Sequence, residues 1–389
     1  MTGFDIEYLK LLKKILTEGV EVENRTGINT VKVPSHTFEF DLSKEYPILT
    51  TKQTFYTNAI IEMLWIWQMQ SNDVRELQKR KVPIWNEWMV DEDGIYRIYE
   101  PKVPGKDYVY DPDKEVVVLN PLSVPVDNPN KELSPMIDEN GKIMTAKSLI
   151  PGKTIKRAIY YGKDYAYTIG TAYGFITNRY KHTQNLINTI KNNPNDRRLV
   201  KSLWQDEFLR TAVLPSCVWS TEWDVTNGKL NLSVHQRSCD VPLGLPFNIT
   251  QYSTFLKMIA SVTNLEPGKI SYSIKDAHIY LDQIDGIKEQ IRRERLYNDL
   301  SKFDNKMLYD FKKHIEKEMN LIEDKKCDRY IELDTEYRIA DMILEPTKPE
   351  LWIDPSVDDF FKFDNSRELK HIKVKSYKHM GKIPMPIAQ

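Results

Sequence analysis

Residues 235–252 read HQRSCDVPLGLPFNITQY, and this stretch connects a predicted β-hairpin to a predicted helix. Before it, residues 217–225 and 229–238 have the composition of two strands, and Asn227-Gly228 between them is typical of a tight hairpin turn. Apolar and polar side chains alternate along the second strand, which predicts that one of its faces is buried. Residues 250–264 then predict a helix that ends before a Pro-Gly pair.

The other periodic segments mix helix and strand without the regular βαβ order of a parallel sheet. We expect helices over residues 4–18, 57–79 and 181–193, and a strand over residues 30–42. This order predicts an α+β fold, in a single domain of residues 1–389.

Two regions depart from this pattern. Residues about 89–168 combine prolines, charges and short β-like runs, and residues about 290–343 are charged with apolar side chains at helical spacing. We interpret the first as an irregular, strand-containing insertion and the second as a helical insertion, both at the surface.

Composition restricts the class of protein. The chain has 389 residues, and its 55 Lys and Arg nearly balance its 56 Asp and Glu, for a net charge of −1. This balance argues against nucleic acid as a partner, although it allows a local basic pocket. Three cysteines without a CxxC pair argue against a disulfide framework or a zinc cage, so no metal is expected. Neither a signal-like N-terminus nor a run of about 18 apolar residues is present, which predicts a cytoplasmic protein without a membrane span.

Cys217 lies in VLPSCVW, residues 213–219, between a proline turn and the first hairpin strand. A lone cysteine is most often a small buried hydrophobic residue, and we assign that role to Cys239. A nucleophilic cysteine must ionise, and a neighbouring cation favours the thiolate. Arg237 on the adjacent hairpin strand could supply that charge, so Cys217 is a candidate nucleophile.

Six further segments accompany these residues in a fixed order. They are NRTGINT at 24–30, ILTTKQ at 48–53, EMLW at 62–65, PIWNEW at 83–88, NPNDRRLV at 193–200 and DAHIYLDQI at 276–284. With QRSCD and LGLPFN, they resemble the thymidylate synthase family over most of the chain. The resemblance implies a large mixed β-sheet flanked by helices, and a homodimer in which two such sheets pack face to face.

The resemblance also implies the chemistry, which is a folate-dependent transfer of one carbon to C5 of dUMP. A thiolate that adds to C6 of uracil makes C5 nucleophilic, and C5 then attacks the one-carbon unit of 5,10-methylenetetrahydrofolate. By resemblance Cys217 is that thiolate, Glu62 is a general acid and base acting through water, and Tyr173 helps to polarise the site.

Asn248 is the residue that bears on the identity of the base. A carboxamide can accept a hydrogen bond from uracil N3–H and donate one to O4, whereas the cytosine edge requires the complementary pattern. The cytosine-specific hydroxymethylases of the same superfamily carry a carboxylate there, so Asn248 indicates dUMP rather than dCMP.

The remaining site residues are assigned by resemblance. Guanidinium groups bind phosphate oxygens well, and the arginines at 197 and 198 are expected to reach the site of the partner subunit. The residues expected to bind the nucleotide are Arg25, Arg197, Arg198, Gln236, Arg237, Ser238, Asn248, His278 and Tyr280. Those expected to contact folate are Lys52, Ile84, Trp85, Trp88, Asp240, Leu243, Gly244 and Phe247, with Asp240 also counted as catalytic and Lys52 meeting the glutamate tail. The C-terminal segment HMGKIPMPIAQ resembles one that covers the site and excludes water.

Several positions depart from the family pattern, and they determine which product we predict. Val218 replaces a histidine, Glu222 a glutamine and Asn86 an aspartate, residues 176–178 replace a Gln-Trp-Arg segment, and Gln389 replaces a small apolar terminus. A wetter pocket would let water, rather than hydride, capture the methylene group left on C5. These departures resemble the deoxyuridylate hydroxymethylases of phages, so we predict 5-hydroxymethyl-dUMP as the product.

Two alternatives remain open at this point. The first is a thymidylate synthase that makes dTMP and dihydrofolate by hydride transfer. The second is a non-catalytic RNA-binding relative, against which the near-neutral charge and the presence of Cys217, Arg237 and Asn248 both argue.

Overall fold

We describe the fold from a computed structural model of the protein, which covers residues 1–100, 109–124 and 132–387. Its α-helices are α1 (Gly3–Glu18), α2 (Tyr56–Trp67), α3 (Val74–Lys79), α4 (Gly174–Arg179), α5 (His182–Asn192), α6 (Gly244–Val262), α7 (Ile284–Leu300), α8 (Asn305–Asn320) and α9 (Asp328–Leu344). Its strands are β1 (Val20–Val22), β2 (Thr30–Asp41), β3 (Ile95–Tyr99), β4 (Val116–Leu119), β5 (Thr145–Ala146), β6 (Ile155–Tyr160), β7 (Val200–Ser202), β8 (Val218–Thr226), β9 (Lys229–Gln236), β10 (Cys239–Asp240), β11 (Glu266–Tyr280), β12 (Glu350–Ile353) and β13 (Ile372–Lys375).

A seven-stranded mixed sheet forms the centre of the molecule. Its strand order is β1-β2-β11-β9-β8-β7, and β10 pairs with the end of β11. Strand β11 runs parallel to β9 and antiparallel to β2, so the sheet is mixed. The predicted hairpin is confirmed as β8 and β9, and both turn residues have positive φ, 50° at Asn227 and 72° at Gly228, as a two-residue hairpin turn requires. The α+β fold class is confirmed.

Helices cover one face of this sheet. Leu230, Leu232 and Val234 of β9 point into the core, and α6 packs there with most of its side chains buried. Helix α2 packs against α6, where Trp67 stacks on Phe255 with ring centroids 4.7 Å apart. The opposite face of β9 carries half-buried polar side chains. The packing of that face against a second copy stays a prediction.

The N-terminal helix fixes a loop that later bears on the site. Thr2 and Asp5 cap α1 reciprocally, since the Thr2 hydroxyl accepts from the Asp5 N–H and the Asp5 carboxylate accepts from the Thr2 N–H. The buried carboxylate of Asp5 also accepts hydrogen bonds from the backbone N–H groups of Thr50, at 2.8 Å, and Thr51, at 2.9 Å. Asp5 therefore holds the loop that follows residue 48.

Two predicted helices have different bounds in the structure. The prediction of a single helix over 57–79 is wrong, because this region forms two helices, α2 and α3. Gln70 between them has a φ of 51°, and the Asp73 carboxylate accepts from the Arg75 N–H to begin α3. The helix expected from residue 250 begins earlier, at Gly244. Pro246 then lies in its first turn, where proline is tolerated.

The two regions interpreted as insertions have their own local structures. Strands β3, β6, β4 and β5 form a four-stranded sheet around a small apolar core that includes Ile95, Val118 and Ile155. Helices α7, α8 and α9 account for most of the second region. The interpretation of both regions as insertions stays a prediction. Within the described residues, no helix combines the length and apolar character needed to cross a membrane.

Candidate active site

A cavity of about 490 Å³ opens where the ends of β8, β9 and β11 meet the start of α6. The structure brings fifteen of the predicted site residues to its walls. They are Arg25, Glu62, Ile84, Trp85, Trp88, Cys217, Arg237, Ser238, Asp240, Leu243, Gly244, Phe247, Asn248, His278 and Tyr280. Ile387, from the C-terminal segment that we expected to cover the site, also lines the cavity.

Cys217 and Arg237 lie on neighbouring ends of the hairpin. The Arg237 backbone N–H donates to the Cys217 carbonyl oxygen at 2.9 Å, and the Arg237 Nη2 lies 3.9 Å from the Cys217 Sγ. Two carbonyl oxygens hold the guanidinium, that of Ser216 at 3.1 Å from Nε and that of Pro215 at 2.7 Å from Nη2. The Trp204 ring lies beneath it at 5.6 Å. These contacts fix the guanidinium of Arg237 beside the sulfur of Cys217.

Tyr173 contacts the backbone of the candidate nucleophile from behind the cavity wall. Its hydroxyl oxygen accepts a hydrogen bond from the Cys217 N–H at 2.8 Å. Burial raises the pKa of Tyr173, so the phenol keeps its proton near neutral pH. The residue has a φ of 47°, which is unusual for tyrosine. The next position, Gly174, has no room for a side chain, because a Cβ there would lie 1.8 Å from the Ser71 carbonyl oxygen.

A chain of side-chain amides fixes the orientation of Asn248. The Gln236 Nε2 donates to the Asn248 Oδ1 at 3.3 Å, and the Asn248 Nδ2 donates to the Gln251 Oε1 at 3.0 Å. Gln236 is itself oriented, because its Oε1 accepts from the buried Tyr272 hydroxyl at 2.6 Å. One lone pair of Oδ1 and one hydrogen of Nδ2 remain for a ligand. Asn248 therefore presents an acceptor beside a donor.

The amide chain ends on Glu62. The Gln251 Nε2 donates to the Glu62 Oε2 at 2.5 Å, and the Trp85 indole N–H donates to Oε1 at 2.6 Å. Burial raises the pKa of Glu62 to about 7, and the two hydrogen bonds only partly oppose that shift. A carboxyl group of this kind can gain and lose a proton near neutral pH. Gln251 was not predicted, although its position three residues after Asn248 on a helix places both on one side.

His278 is held by a residue that sequence reasoning missed. The Asp276 carboxylate lies 2.9 Å from the His278 Nδ1 and 2.7 Å from the Lys32 Nζ, and both residues lower the pKa of Asp276 to about 2. The contact at Nδ1 fixes the orientation of the His278 ring. The alternation of β11 was a usable signal, since Asp276 and His278 are two positions apart on one strand.

An apolar wall faces these polar groups. Ile84, Trp85 and Trp88 come from the segment after α3, and Leu243 and Phe247 come from the start of α6. Trp85 and Trp88 meet edge to face with centroids 5.6 Å apart. These side chains give the cavity a continuous apolar surface.

Asp240 and Lys52 are the two charged residues among the candidate folate contacts. The Asp240 Oδ2 accepts from the Gln283 Nε2 at 3.0 Å, and burial raises the pKa of Asp240. Lys52 is 6% exposed, and its Nζ donates to the Pro242 carbonyl oxygen at 2.5 Å. Burial lowers the pKa of Lys52 to about 8. In this arrangement Lys52 does not line the cavity, and its role toward a glutamate tail stays a prediction.

Arg197 and Arg198 are not brought to the cavity of their own chain. Both are exposed in the segment before β7, and Arg198 pairs with Asp196 at 3.1 Å. The described residues contain no group of three or more His, Cys, Asp or Glu side chains arranged to hold a metal ion.

Comparison with known proteins establishes the family. The family model described as "Thymidylate synthase" matches residues 6–322. A thymidylate synthase from Clostridium beijerinckii is 31% identical over 388 residues, which cover 100% of each chain. The chain belongs to the thymidylate synthase family.

Other members support this assignment and extend it to the whole chain. The thymidylate synthase of Bacillus phage phi3T is 29% identical over an alignment 407 positions long, gaps included, which covers 100% of each chain. The solved structure of the thermostable thymidylate synthase A from Bacillus subtilis superposes with a TM-score of 0.61, at 28% identity and 99% coverage of each chain. These matches run from one end of the chain to the other. Thymidylate synthases use methylenetetrahydrofolate as co-substrate and no metal.

The departures from the family pattern lie away from the cavity walls. Val218 is 2% exposed within the core, and Glu222 lies on the outer face of the sheet, 3.4 Å from the His235 Nε2. Ile176 and Thr177 are buried, and the Thr177 hydroxyl donates to the Ile66 carbonyl oxygen at 2.6 Å. None of these side chains lines the cavity, nor does Asn178 or Asn86. Gln389 lies outside the described residues.

Proposed function

We propose that this member of the thymidylate synthase family converts dUMP to dTMP, with methylenetetrahydrofolate as the source of both the carbon and the reducing hydride. The observation that carries the proposal is the fixed amide of Asn248, held between Gln236 and Gln251 in the same cavity as Cys217. Its free acceptor and donor match N3–H and O4 of uracil.

Cys217 is the proposed nucleophile toward C6 of the bound base. Arg237 stabilises the thiolate, and in the described chain its Nη1 has no hydrogen-bond partner, so that nitrogen can bind a phosphate oxygen. Arg25 and Ser238 line the same cavity and are further proposed contacts for the phosphate. His278 and Tyr280 are the proposed contacts for the sugar hydroxyl.

Glu62 is the proposed acid and base. With a pKa of about 7 it can protonate the O4 side of the base through water and accept the proton that leaves C5. Tyr173 fixes the backbone of Cys217 and keeps its own phenol proton.

When bound, methylenetetrahydrofolate supplies the one-carbon unit and the hydride. The apolar wall that includes Trp85, Trp88, Leu243 and Phe247 would bind its ring system. Ile387 adds an apolar side chain at the cavity mouth, which would limit the access of water.

Product identity separates this proposal from hydroxymethylation, which the sequence had favoured. The related proteins named above are thymidylate synthases, which supports hydride transfer over water capture. The substitution at Val218 also fails to support a wetter pocket, because an apolar side chain in the core introduces no water there. Arg197 and Arg198 would complete the phosphate site from the partner subunit of a homodimer, which is the role proposed for them.

The test is to incubate the protein with dUMP and methylenetetrahydrofolate. We expect dihydrofolate absorbance to rise in step with dTMP, identified by chromatography and mass. Formation of 5-hydroxymethyl-dUMP with tetrahydrofolate would overturn the proposed product. Absence of any nucleotide turnover, with salt-dependent RNA binding instead, would overturn the enzyme assignment.

A further inference from the structure

The C-terminal segment, residues 379–387, is bound along its length before it reaches the cavity. The Met380 N–H donates to the Thr50 carbonyl oxygen at 2.9 Å, and the Gln53 N–H donates to the Gly381 carbonyl oxygen at 2.8 Å. Ile387 at the far end lines the cavity. The position of Ile387 therefore depends on how the chain is held around Gly381.

Arg293 of α7 makes the deepest of these attachments. Its side chain is 2% exposed. Its Nη1 donates to the Gly381 carbonyl oxygen at 3.2 Å and to the Thr51 carbonyl oxygen at 3.4 Å, and its Nη2 donates to the Lys382 carbonyl oxygen at 3.0 Å. Glu289 accepts from its Nε at 2.8 Å. One guanidinium thus joins the C-terminal segment to the loop after residue 48.

Two more residues of the same helical region contact the segment nearer its end. The Gln283 Nε2 donates to the Pro386 carbonyl oxygen at 3.2 Å and to the Asp240 Oδ2 at 3.0 Å. Gly286 allows close packing, since a Cβ there would lie 2.7 Å from the Met385 Cε. The segment therefore follows α7 from Arg293 toward the cavity.

We propose that Arg293 is a positioning residue that sets the C-terminal segment over the folate end of the cavity. A buried guanidinium that bonds three backbone carbonyl oxygens fixes the path of the chain whatever its side chains are. Removing it takes the guanidinium donors from the Thr51 and Lys382 carbonyl oxygens and leaves the Gly381 oxygen with its bond from the Gln53 N–H alone. The segment between Gly381 and Ile387 is then held less firmly. This inference rests on the proposed function, because it assigns the segment to the binding of the folate.

The chain supplies a matched control one residue earlier. Arg292 also pairs with Glu289, at 2.7 Å, but its side chain is 43% exposed and it donates to no residue of the C-terminal segment. Arg292→Gln removes the same charge from the same helix. A difference between the two variants therefore reports the attachment and not the loss of charge.

The experiment compares full-length wild type, Arg293→Gln and Arg292→Gln. We expect Arg293→Gln to speed hydrogen exchange of residues 379–387 and to raise KM for methylenetetrahydrofolate by roughly tenfold, since about one buried charged contact is lost, with the Kd for dUMP unchanged. Arg292→Gln should match wild type in all three. Should Arg293→Gln fail to fold, Arg293→Lys is the replacement variant, because lysine keeps the charge but lacks the paired N–H donors of the guanidinium. It is expected to change the hydrogen exchange of residues 379–387 and the KM for methylenetetrahydrofolate in the same direction but by less.

A truncation that removes residues 383–389 separates positioning from general stability. If Arg293 acts through the segment, Arg293→Gln combined with the truncation should have the same folate KM as the truncation alone. Additive effects would overturn the proposal, as would equal KM and exchange in the Arg293 and Arg292 variants. A wild type that turns over no dUMP would instead refute the proposed function, while the exchange measurement would still test the attachment.

Discussion

Glu62→Gln tests whether the cavity holds a carboxyl group ready to exchange a proton at neutral pH. Burial raises the pKa of Glu62 from its ordinary 4.5 to about 7. The folded protein then binds this proton more tightly than the unfolded chain does, so the group contributes stability below pH 4.5 and loses that contribution as pH rises through about 7. The shift corresponds to about 3 kcal/mol in all, and about 2.5 kcal/mol of it disappears between pH 5 and pH 8.

The assay is urea unfolding at fixed protein concentration between pH 5 and pH 8. Glutamine cannot ionise, so the free energy of unfolding of Glu62→Gln should rise relative to wild type by about 2.5 kcal/mol across this range. Glutamine also sets an N–H group against the donors of Trp85 or Gln251, at a cost of about 1–3 kcal/mol, but that cost is the same at each pH and cancels.

The control is Glu7→Gln on the exposed face of α1, where the side chain is 46% exposed. This variant should follow the pH dependence of wild type. Parallel curves for wild type and Glu62→Gln would refute the raised pKa, and with it the proposed role of Glu62 as acid and base.

Three further substitutions test other parts of the site. Cys217→Ala should abolish turnover and leave dUMP binding measurable by calorimetry, and a variant with most of its activity would exclude the covalent step. Asn248→Asp should shift kcat/KM toward dCMP by tenfold or more, because it replaces the donor that faces O4 of uracil with an acceptor, and about one hydrogen bond to the base is affected. Unchanged selectivity would contradict the assigned base contact. Val218→His puts a polar ring into the core, so it should lower the free energy of unfolding by about 1–3 kcal/mol without altering the product, and a change from one nucleotide product to another would show that position 218 controls water.

The elements whose signals are local were predictable from the sequence. Alternation along β9 and the Asn227-Gly228 turn identified the hairpin, and both depend only on neighbouring residues. The division between α2 and α3 was missed, although residues 68–73 read QMQSND and Ser-Asn-Asp is typical of a helix start. The break itself depends on Gln70 adopting a left-handed backbone conformation, which no local pattern predicts. Helix start positions are poorly marked where no side-chain cap is present, as at Gly244.

The candidate site likewise combines residues that local motifs predict with residues that they do not. Motifs placed Cys217, Arg237 and Asn248 correctly in one cavity, because their spacing follows the hairpin and the helix after it. Tyr173 and Gln236, which contact Cys217 and Asn248, were also predicted, but other residues that orient the site were missed. Gln251 meets Glu62 across 189 positions of sequence, and Arg293 meets Gly381 across 88, so no local pattern connects either pair.

The sequence also did not show whether the residues that depart from the family pattern are buried in the core or line the cavity. Val218 adjoins the nucleophile in the chain, which suggested an effect on the pocket. Successive side chains of a strand point to opposite faces, so a neighbour in sequence need not share the cavity. The structure places Val218 in the core, and the prediction of a wetter site loses its main support.

The most direct test of the central claim is the mass of the adduct trapped on the protein. With 5-fluoro-dUMP and methylenetetrahydrofolate, the fluorine on C5 cannot leave as the proton does, so the bond from sulfur to C6 should persist through denaturation. Peptide mapping is predicted to find nucleotide and folate together on the peptide that contains Cys217. An adduct on Cys239, or turnover of dUMP by a protein that forms no adduct at Cys217, would contradict the account.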